Sequence, residues 1–284
     1  MLAACAPAHL SPLERDHPLA GRIWDTRTGK FVAREALIER ARAAPLVILG
    51  EVHDNAGHHR LQAEVLAAMV QAGRTPTLAM EQFDREHQSA LDAARARGER
   101  DAERIADAGR FDRKGWGWAL YRPLVEFAVA ANLPILAANV SREDARALMK
   151  SGRAAKGLAP AAAALRAALE QDIIDGHCGH RPSAPVLAGM VEAQRARDAQ
   201  MASALAGADT HGVVLIAGAG HARRDRGVPA YLEAGTRGRV LVIAFVEVES
   251  GPMEPGAEFA GLFDLVWFTP RATREDPCKT LRMP

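Results

Sequence analysis

Two segments of the sequence share a form: Gly50-Glu51-Val52-His53 and Gly218-Ala219-Gly220-His221 each place a histidine three positions after a glycine. Glycine lets the backbone turn tightly and approach a ligand, and imidazole supplies a nitrogen donor or an acid–base group. Acidic and amide side chains recur at comparable places: Glu51 inside the first segment, Glu81-Gln82, and Asn139 followed by Arg142. Two acids, two histidines, an amide and an arginine are the material of an acid–base site, a metal site or a cofactor pocket. A core needs none of them, and each left buried and unpaired would cost on the order of several kcal/mol. A single Gly-x-x-His segment is weak evidence, because a histidine at a strand-to-helix turn often only caps the helix. Two such segments, with Glu81 between them in sequence, point to one shared polar site. The plainer alternative is a hydrogen-bonded network that only holds loops.

The elements that must position these residues are legible as short apolar runs. They cover residues 45–50, 77–82, 133–140, 212–218 and 239–248, with a sixth at 262–269. Short non-alternating runs rich in Val, Ile and Leu predict strands buried on both faces. Helical spacing of apolar residues predicts helices over 58–72, 120–131, 142–149 (N-capped by Ser141) and 182–205. Strands alternating with helices predict an α/β fold, with a mainly parallel central sheet flanked by helices. Residues 84–117 and 150–180 break the rhythm and read as helical insertions capping the C-terminal ends of the strands. In such sheets ligands bind at those ends, where the acids and histidines fall. No internal linker or repeat divides the chain. A tether over residues 1–20 and a single domain over 21–284 are expected.

Other residues carry weaker signals. Trp116-Gly117-Trp118 and Tyr121-Arg122-Pro123 could line an apolar ligand pocket, or anchor a helix in the core, which is the reading favoured here. His58 and His59 fall in the first turn of a helix; His87 and His211 read as surface, His9 and His17 as tether. Arg197, in Gln194-Arg195-Ala196-Arg197-Asp198, could reach the strand ends or only pair along its helix. Cys178 and Cys278 fit one disulfide in an oxidising compartment or two free thiols in a reducing one. His177-Cys178-Gly179-His180 looks like a metal cluster, but lacks the second pair that a structural zinc site needs, and a loop after a helix is the expectation.

The 284 residues carry 36 Lys+Arg against 35 Asp+Glu, so no excess of positive charge marks the chain as a nucleic-acid binder. No apolar run approaches the ~18 residues of a membrane-spanning helix. The opening Leu2-Ala3-Ala4-Cys5 reads like the end of a lipoprotein signal, without the basic and apolar regions that should precede it. A lipid on Cys5 is the one expected membrane attachment; a chance match would leave a cytoplasmic protein.

Six blocks together resemble the ChaN family of haem-binding uptake lipoproteins, within the Tiki/TraB/erythromycin-esterase superfamily. They are Leu-Gly-Glu-Val-His-Asp-Asn at 49–55, Met-Glu-Gln-Phe at 80–83, Tyr-Arg-Pro-Leu-Val-Glu-Phe-Ala at 121–128, Ala-Ala-Asn-Val-Ser-Arg at 137–142, Ala-Gln-Arg-Ala-Arg-Asp at 193–198, and the run from Gly220 to Pro229. The resemblance implies an α/β core with helical insertions and a role in haem or iron uptake in the cell envelope, as a periplasmic or outer-membrane protein. It also implies haem in a pocket that a homodimer completes, with a tyrosine on the iron. In the matching block that tyrosine is Tyr121, a hard oxygen donor suited to ferric iron. Arg122, His53, His221 and Trp118 are the expected supporting residues for haem, and a haem-uptake receptor or transporter is the expected partner.

The wider superfamily implies a second possibility. Its Tiki members are metal-dependent proteases that use two Gly-x-x-His segments and a glutamate. Here Glu51, His53, Glu81 and His221 would surround Zn, Mn or Co and activate water. Ala219 departs from the pattern, standing where such relatives often carry a polar Asn. A third possibility is a non-catalytic envelope scaffold. Haem carriage is the first expectation, and an enzymatic role the lesser one.

Overall fold

A computed structural model describes residues 13–154, 157–206, 211–275 and 277–280. In chain order the elements are β1 (Ile23–Asp25), β2 (Lys30–Val32), α1 (Arg34–Ala43), β3 (Leu46–Glu51), α2 (Ala56–Gln71), β4 (Thr77–Asp84), α3 (Gln88–Ala96), α4 (Ala102–Ala108), α5 (Arg113–Trp116), α6 (Trp118–Ala130) and β5 (Ile135–Asn139). There follow α7 (Arg142–Ser151), α8 (Ala163–Gly176), α9 (Ala184–Ala206), β6 (Val213–Gly218), α10 (Ala219–Ala222), α11 (Val228–Tyr231), α12 (Ala234–Arg237), β7 (Val240–Glu247), β8 (Leu265–Thr269) and α13 (Pro277–Thr280).

The strands form a sheet in the order β2-β1-β8-β7-β3-β6-β4-β5. The six from β8 to β5 run parallel; at one edge β1 pairs antiparallel with β8, and β2 antiparallel with β1. All six expected strands form. The edge hairpin was not visible beforehand, because strands of three residues are too short to carry a period. The chain passes from β3 to β4 and β5, then returns to place β6 between β3 and β4, then adds β7 on the far side of β3. Its direction of travel therefore reverses beside β3 and β6, the kind of crevice where parallel sheets bind ligands.

Each strand is apolar on both faces because both faces are covered. Val47 and Leu49 pack with Leu37 of α1, Leu66 of α2 and Leu124 of α6. Leu46 and Ile48 pack on the opposite face with Met201 and Leu205 of α9. This alternation continues to the strand ends. Glu51 shares the face of Val47 and Leu49, toward α2 and α6. Glu81 shares the face of Ala79, toward α9.

Local chemistry fixes the helices. The Asn55 side chain accepts from the Gly57 and His58 N–H groups and so starts α2. Ser141 Oγ accepts from Asp144 N at 2.9 Å and starts α7, as expected. Of the two insertions, α5 brings Trp116 beside His53, above the strand ends. The α8 helix packs on α9 and borders the α10 turn at the end of β6, and α3 lies against the outer edge of β5. The Gln88 side chain there donates to the Ile135 carbonyl at 3.1 Å and accepts from Ala137 N at 2.6 Å.

Cys5 and His9, and with them the proposed lipid attachment, lie outside the described residues. The described part of the expected tether, residues 13–20, is fixed to the body. Leu13 and Arg271 exchange backbone hydrogen bonds of 2.7 and 3.0 Å, and Leu19 is buried. Cys178 and Cys278 form a disulfide, which decides between the two readings of the thiols and takes Cys178 out of any metal cluster. Among the described residues no helix is long and apolar enough to cross a membrane.

Candidate functional site

Glu51, at the end of β3, is buried at 2% exposure and sits at the centre of a hydrogen-bond network. Its Oε1 accepts from the Tyr121 hydroxyl and from His53 Nδ1 at 3.0 Å. Its Oε2 accepts from Gln62 Nε2 at 2.6 Å and faces His59 Nδ1 at 3.1 Å. His59 Nε2 donates to the His53 carbonyl at 2.9 Å, so α2 grips the turn that carries His53. Burial works to neutralise Glu51, and the charges of His59 and His53 overcome it, holding the carboxyl at about 2. Both imidazoles are raised in turn: burial opposes their charge and Glu51 favours it more.

A second network occupies the other face. Glu81 Oε2 accepts from Gly218 N at 2.9 Å, and its Oε1 lies 3.4 Å from His221 Nε2. His221 Nδ1 donates to Asp198 Oδ1 of α9 at 2.7 Å. Burial opposes the charge on His221, but the Glu81 and Asp198 carboxylates lift it to about 10. The same two effects leave Glu81 at about 2, where His221 prevails over burial. They leave Asp198 at about 6, where burial prevails. At neutral pH an imidazolium therefore stands between two carboxylates.

The two networks meet at Gly218. A β-carbon there would stand 2.9 Å from His53 Nε2 and 3.8 Å from Glu81 Oε2. Gly50 has a related role, since its β-carbon would stand 2.7 Å from that of Ala222 in α10. Neither glycine has positive φ. Both are small to allow close approach, and the tight turn expected of them is not required. Glu51 and His53 from the end of β3, Glu81 from β4 and His221 after β6 thus lie close together. His53 alone among these four reaches solvent substantially, with 44% of its side chain exposed. It lies edge-on to Trp116, ring centres 5.0 Å apart.

Other candidates fall elsewhere. Arg122 is an exposed residue of α6 that pairs with Glu126 at 2.7 Å. Trp118 Nε1 donates to Glu103 at 2.7 Å. Neither touches the networks: Arg122 follows Tyr121 directly on the helix and so faces another way, and the Trp118 ring packs on Phe111, centres 5.0 Å apart. Arg142 is exposed and pairs with Asp112. Asn139 donates to the Glu81 carbonyl at 3.0 Å and supports the strand. Arg197 does reach the strand ends, where its charge acts on Asp84 and Asp198.

Tyr121 belongs to the first network. It has no exposure, its hydroxyl faces Glu51 and, at 3.3 Å, His53 Nδ1, and burial followed by the Glu51 charge drives its pKa far upward. An iron-bound phenolate needs an open face and a lowered pKa. Tyr121 in this structure holds Glu51. His221 is likewise no free donor, since both ring nitrogens face carboxylates. His53 is accessible, and a carboxylate behind its Nδ1 would strengthen the imidazole as a ligand. A divalent ion fits less well. The Glu51 oxygens are already engaged, and among the described residues no three His, Cys, Asp or Glu side chains are arranged to hold a metal.

Sequence reasoning missed His59, Gln62 and Asp198. The signal was present. His59 and Gln62 fall on the stripe of α2 that continues as Leu66 and Met69, and Asp198 falls on the stripe of α9 that continues as Met201 and Leu205. A polar residue on a core-facing stripe has a buried partner.

A parallel α/β sheet, with carboxylate-backed histidines on neighbouring strand ends, defines the class of protein. The chain belongs to the haem-binding uptake family ChaN of the Tiki superfamily, whose model matches residues 37–232. Among solved structures, ChaN of Campylobacter jejuni, described with cofacial haem binding, is 24% identical with a TM-score of 0.74, covering 86% of this chain and 95% of that one. A Bacillus cereus protein is 10% identical with a TM-score of 0.51, covering 94% and 97%. A succinoglycan biosynthesis protein is 10% identical with a TM-score of 0.50, covering 84% and 90%. At these identities the likeness is one of fold. No curated protein sequence matches the chain.

Proposed function

We propose that this protein binds haem for a bacterial iron- or haem-uptake system, with His53 as the residue that meets the iron and Trp116 beside it. Family membership supports the cofactor. The position of His53 supports the place: it is a half-exposed imidazole whose Nδ1 is held 3.0 Å from a buried, ionised carboxylate. Haem would supply an iron able to accept a nitrogen or oxygen donor, and His53 would be the residue to offer it. The chain's own residues do the rest. Glu51 fixes the His53 tautomer and orientation, His59 holds the turn, and Tyr121 and Gln62 hold Glu51.

The disulfide supports an oxidising compartment, so we assign the protein to the cell envelope, in the periplasm or held at the outer membrane by a lipid on Cys5. A haem-uptake receptor or transporter is then its exchange partner, with a homodimer forming when haem binds.

Titration with haemin tests the reading. The wild type shows a saturable ferric Soret band. His53→Ala shifts that band and weakens affinity by about tenfold or more, while Tyr121→Phe leaves the band where it was. An unchanged His53→Ala spectrum with an altered Tyr121→Phe spectrum returns ligation to the phenol. A wild type that takes up no haem rejects the function.

A further inference from the structure

A second cavity lies beside the first site, on the opposite side of the β3 end from β6. It lies between the start of α2 and the end of β8 and has a volume of about 450 Å3, within the range of small-molecule pockets. Three guanidinium groups line it, from Arg15, Arg34 and Arg60, above apolar surface from Leu61, Trp267 and Ala272. One carboxylate also lines it, Asp54, and Arg274 already binds both its oxygens at 2.7 Å. Arg34 pairs with Glu64 and leans over the Trp267 ring, 5.9 Å from its centre. Arg15 and Arg60 are in no ion pair among the described residues. The first-turn N–H groups of Gly57 and His58 are taken by the Asn55 side chain, so the helix end is not what attracts a ligand. The guanidinium groups are.

We infer that this cavity binds an amphiphilic organic anion: an acid group held by Arg15 and Arg60, with an apolar body against Leu61 and Trp267. Three observations carry the inference together. The chain as a whole is nearly neutral, at +1, so a local surplus of guanidinium groups is a feature of this place. Guanidinium is the cation whose planar donors match carboxylates and phosphates. The floor is apolar, from Leu61, Ala272 and the exposed edge of Trp267, so a small hydrated ion would leave most of the cavity unused. None of Glu51, His53, Glu81 and His221 lines the cavity, and the inference does not depend on haem.

The experiment uses the full chain and the fluorescent aromatic sulfonate 8-anilino-1-naphthalenesulfonate. One saturable site is expected. Reversing the two unpaired charges (Arg15→Glu with Arg60→Glu) should weaken binding by about tenfold or more, because two charge-assisted contacts are replaced by two repulsions. Both residues are exposed, so circular dichroism should be unchanged. Arg60→Gln alone provides a milder second variant with a smaller loss. Displacement by dodecanoate identifies a lipid-derived acid as the natural class, and displacement by 1-naphthoate an aromatic one. Equal affinity in the wild type and the reversed variant overturns the inference, as does displacement by neither acid. Displacement by inorganic phosphate at the same concentration also overturns it, since the apolar floor would then contribute nothing.

Discussion

Glu51 is a buried carboxylate that stays ionised because Tyr121, His53, His59 and Gln62 all point at it. Tyr121→Phe removes one of those donors without changing the packing of the ring. A loss of about 1–3 kcal/mol is expected, measurable by urea unfolding. His58 offers a different test. It lies at the start of the same helix, between Val52 N at 2.9 Å and the Thr269 hydroxyl at 2.7 Å. Burial depresses its pKa from 6.5 to about 4. Between those values the unfolded chain binds a proton that the folded chain does not, so stability falls as pH drops through that window. The full effect is about 3 kcal/mol at most. His58→Gln should flatten the difference between unfolding midpoints taken at about pH 5 and about pH 7; an unchanged difference would contradict the assignment. The chemically active residues were legible in the sequence because Gly-x-x-His and an isolated Glu at strand ends are uncommon. The direction of the Tyr121 hydroxyl was not legible, since a phenol in a helix reads the same whether it faces a cofactor or a carboxylate.

At the scale of elements, β3 and β4 place acids on opposite faces of the sheet, and only the small size of Gly218 at the end of β6 lets the two networks touch. Gly218→Ala would push a methyl group to 2.9 Å from His53 Nε2. The His53 ring must then move, with an expected cost of about 1–3 kcal/mol in stability and a loss of haem affinity; equal haem titrations of variant and wild type would refute the coupling. The six parallel strands and the main helices were legible because each carries an apolar run or stripe. The facing of Glu51 and Glu81 could have been read as well, by counting alternate positions from the apolar residues before them. The positions of α3 and α8 could not. They are fixed by contacts with β5 and α9 that no local pattern records.

At the scale of the molecule, the disulfide joins residues 100 positions apart and ties the end of the chain to the loop after α8. Constraining so long a loop in the unfolded chain contributes about 4–5 kcal/mol in the chain-entropy account. Cys278→Ser, or reduction, should lower the thermal midpoint accordingly, checked by calorimetry with and without reductant. A midpoint indifferent to reductant would mean that the bond adds no restraint. A cytoplasmic copy, held reduced, would forgo this contribution, which gives the envelope assignment a cost that can be measured.

The amide of Gln88 occupies the place on β5 that the backbone of a neighbouring strand would take, offering one donor and one acceptor in the same spacing. Strands left open in this way are templates on which further chains polymerise. Here a single side chain plugs the template, so at this margin a second molecule meets helix and side chain in place of open backbone, and the sheet does not grow from it into a fibre.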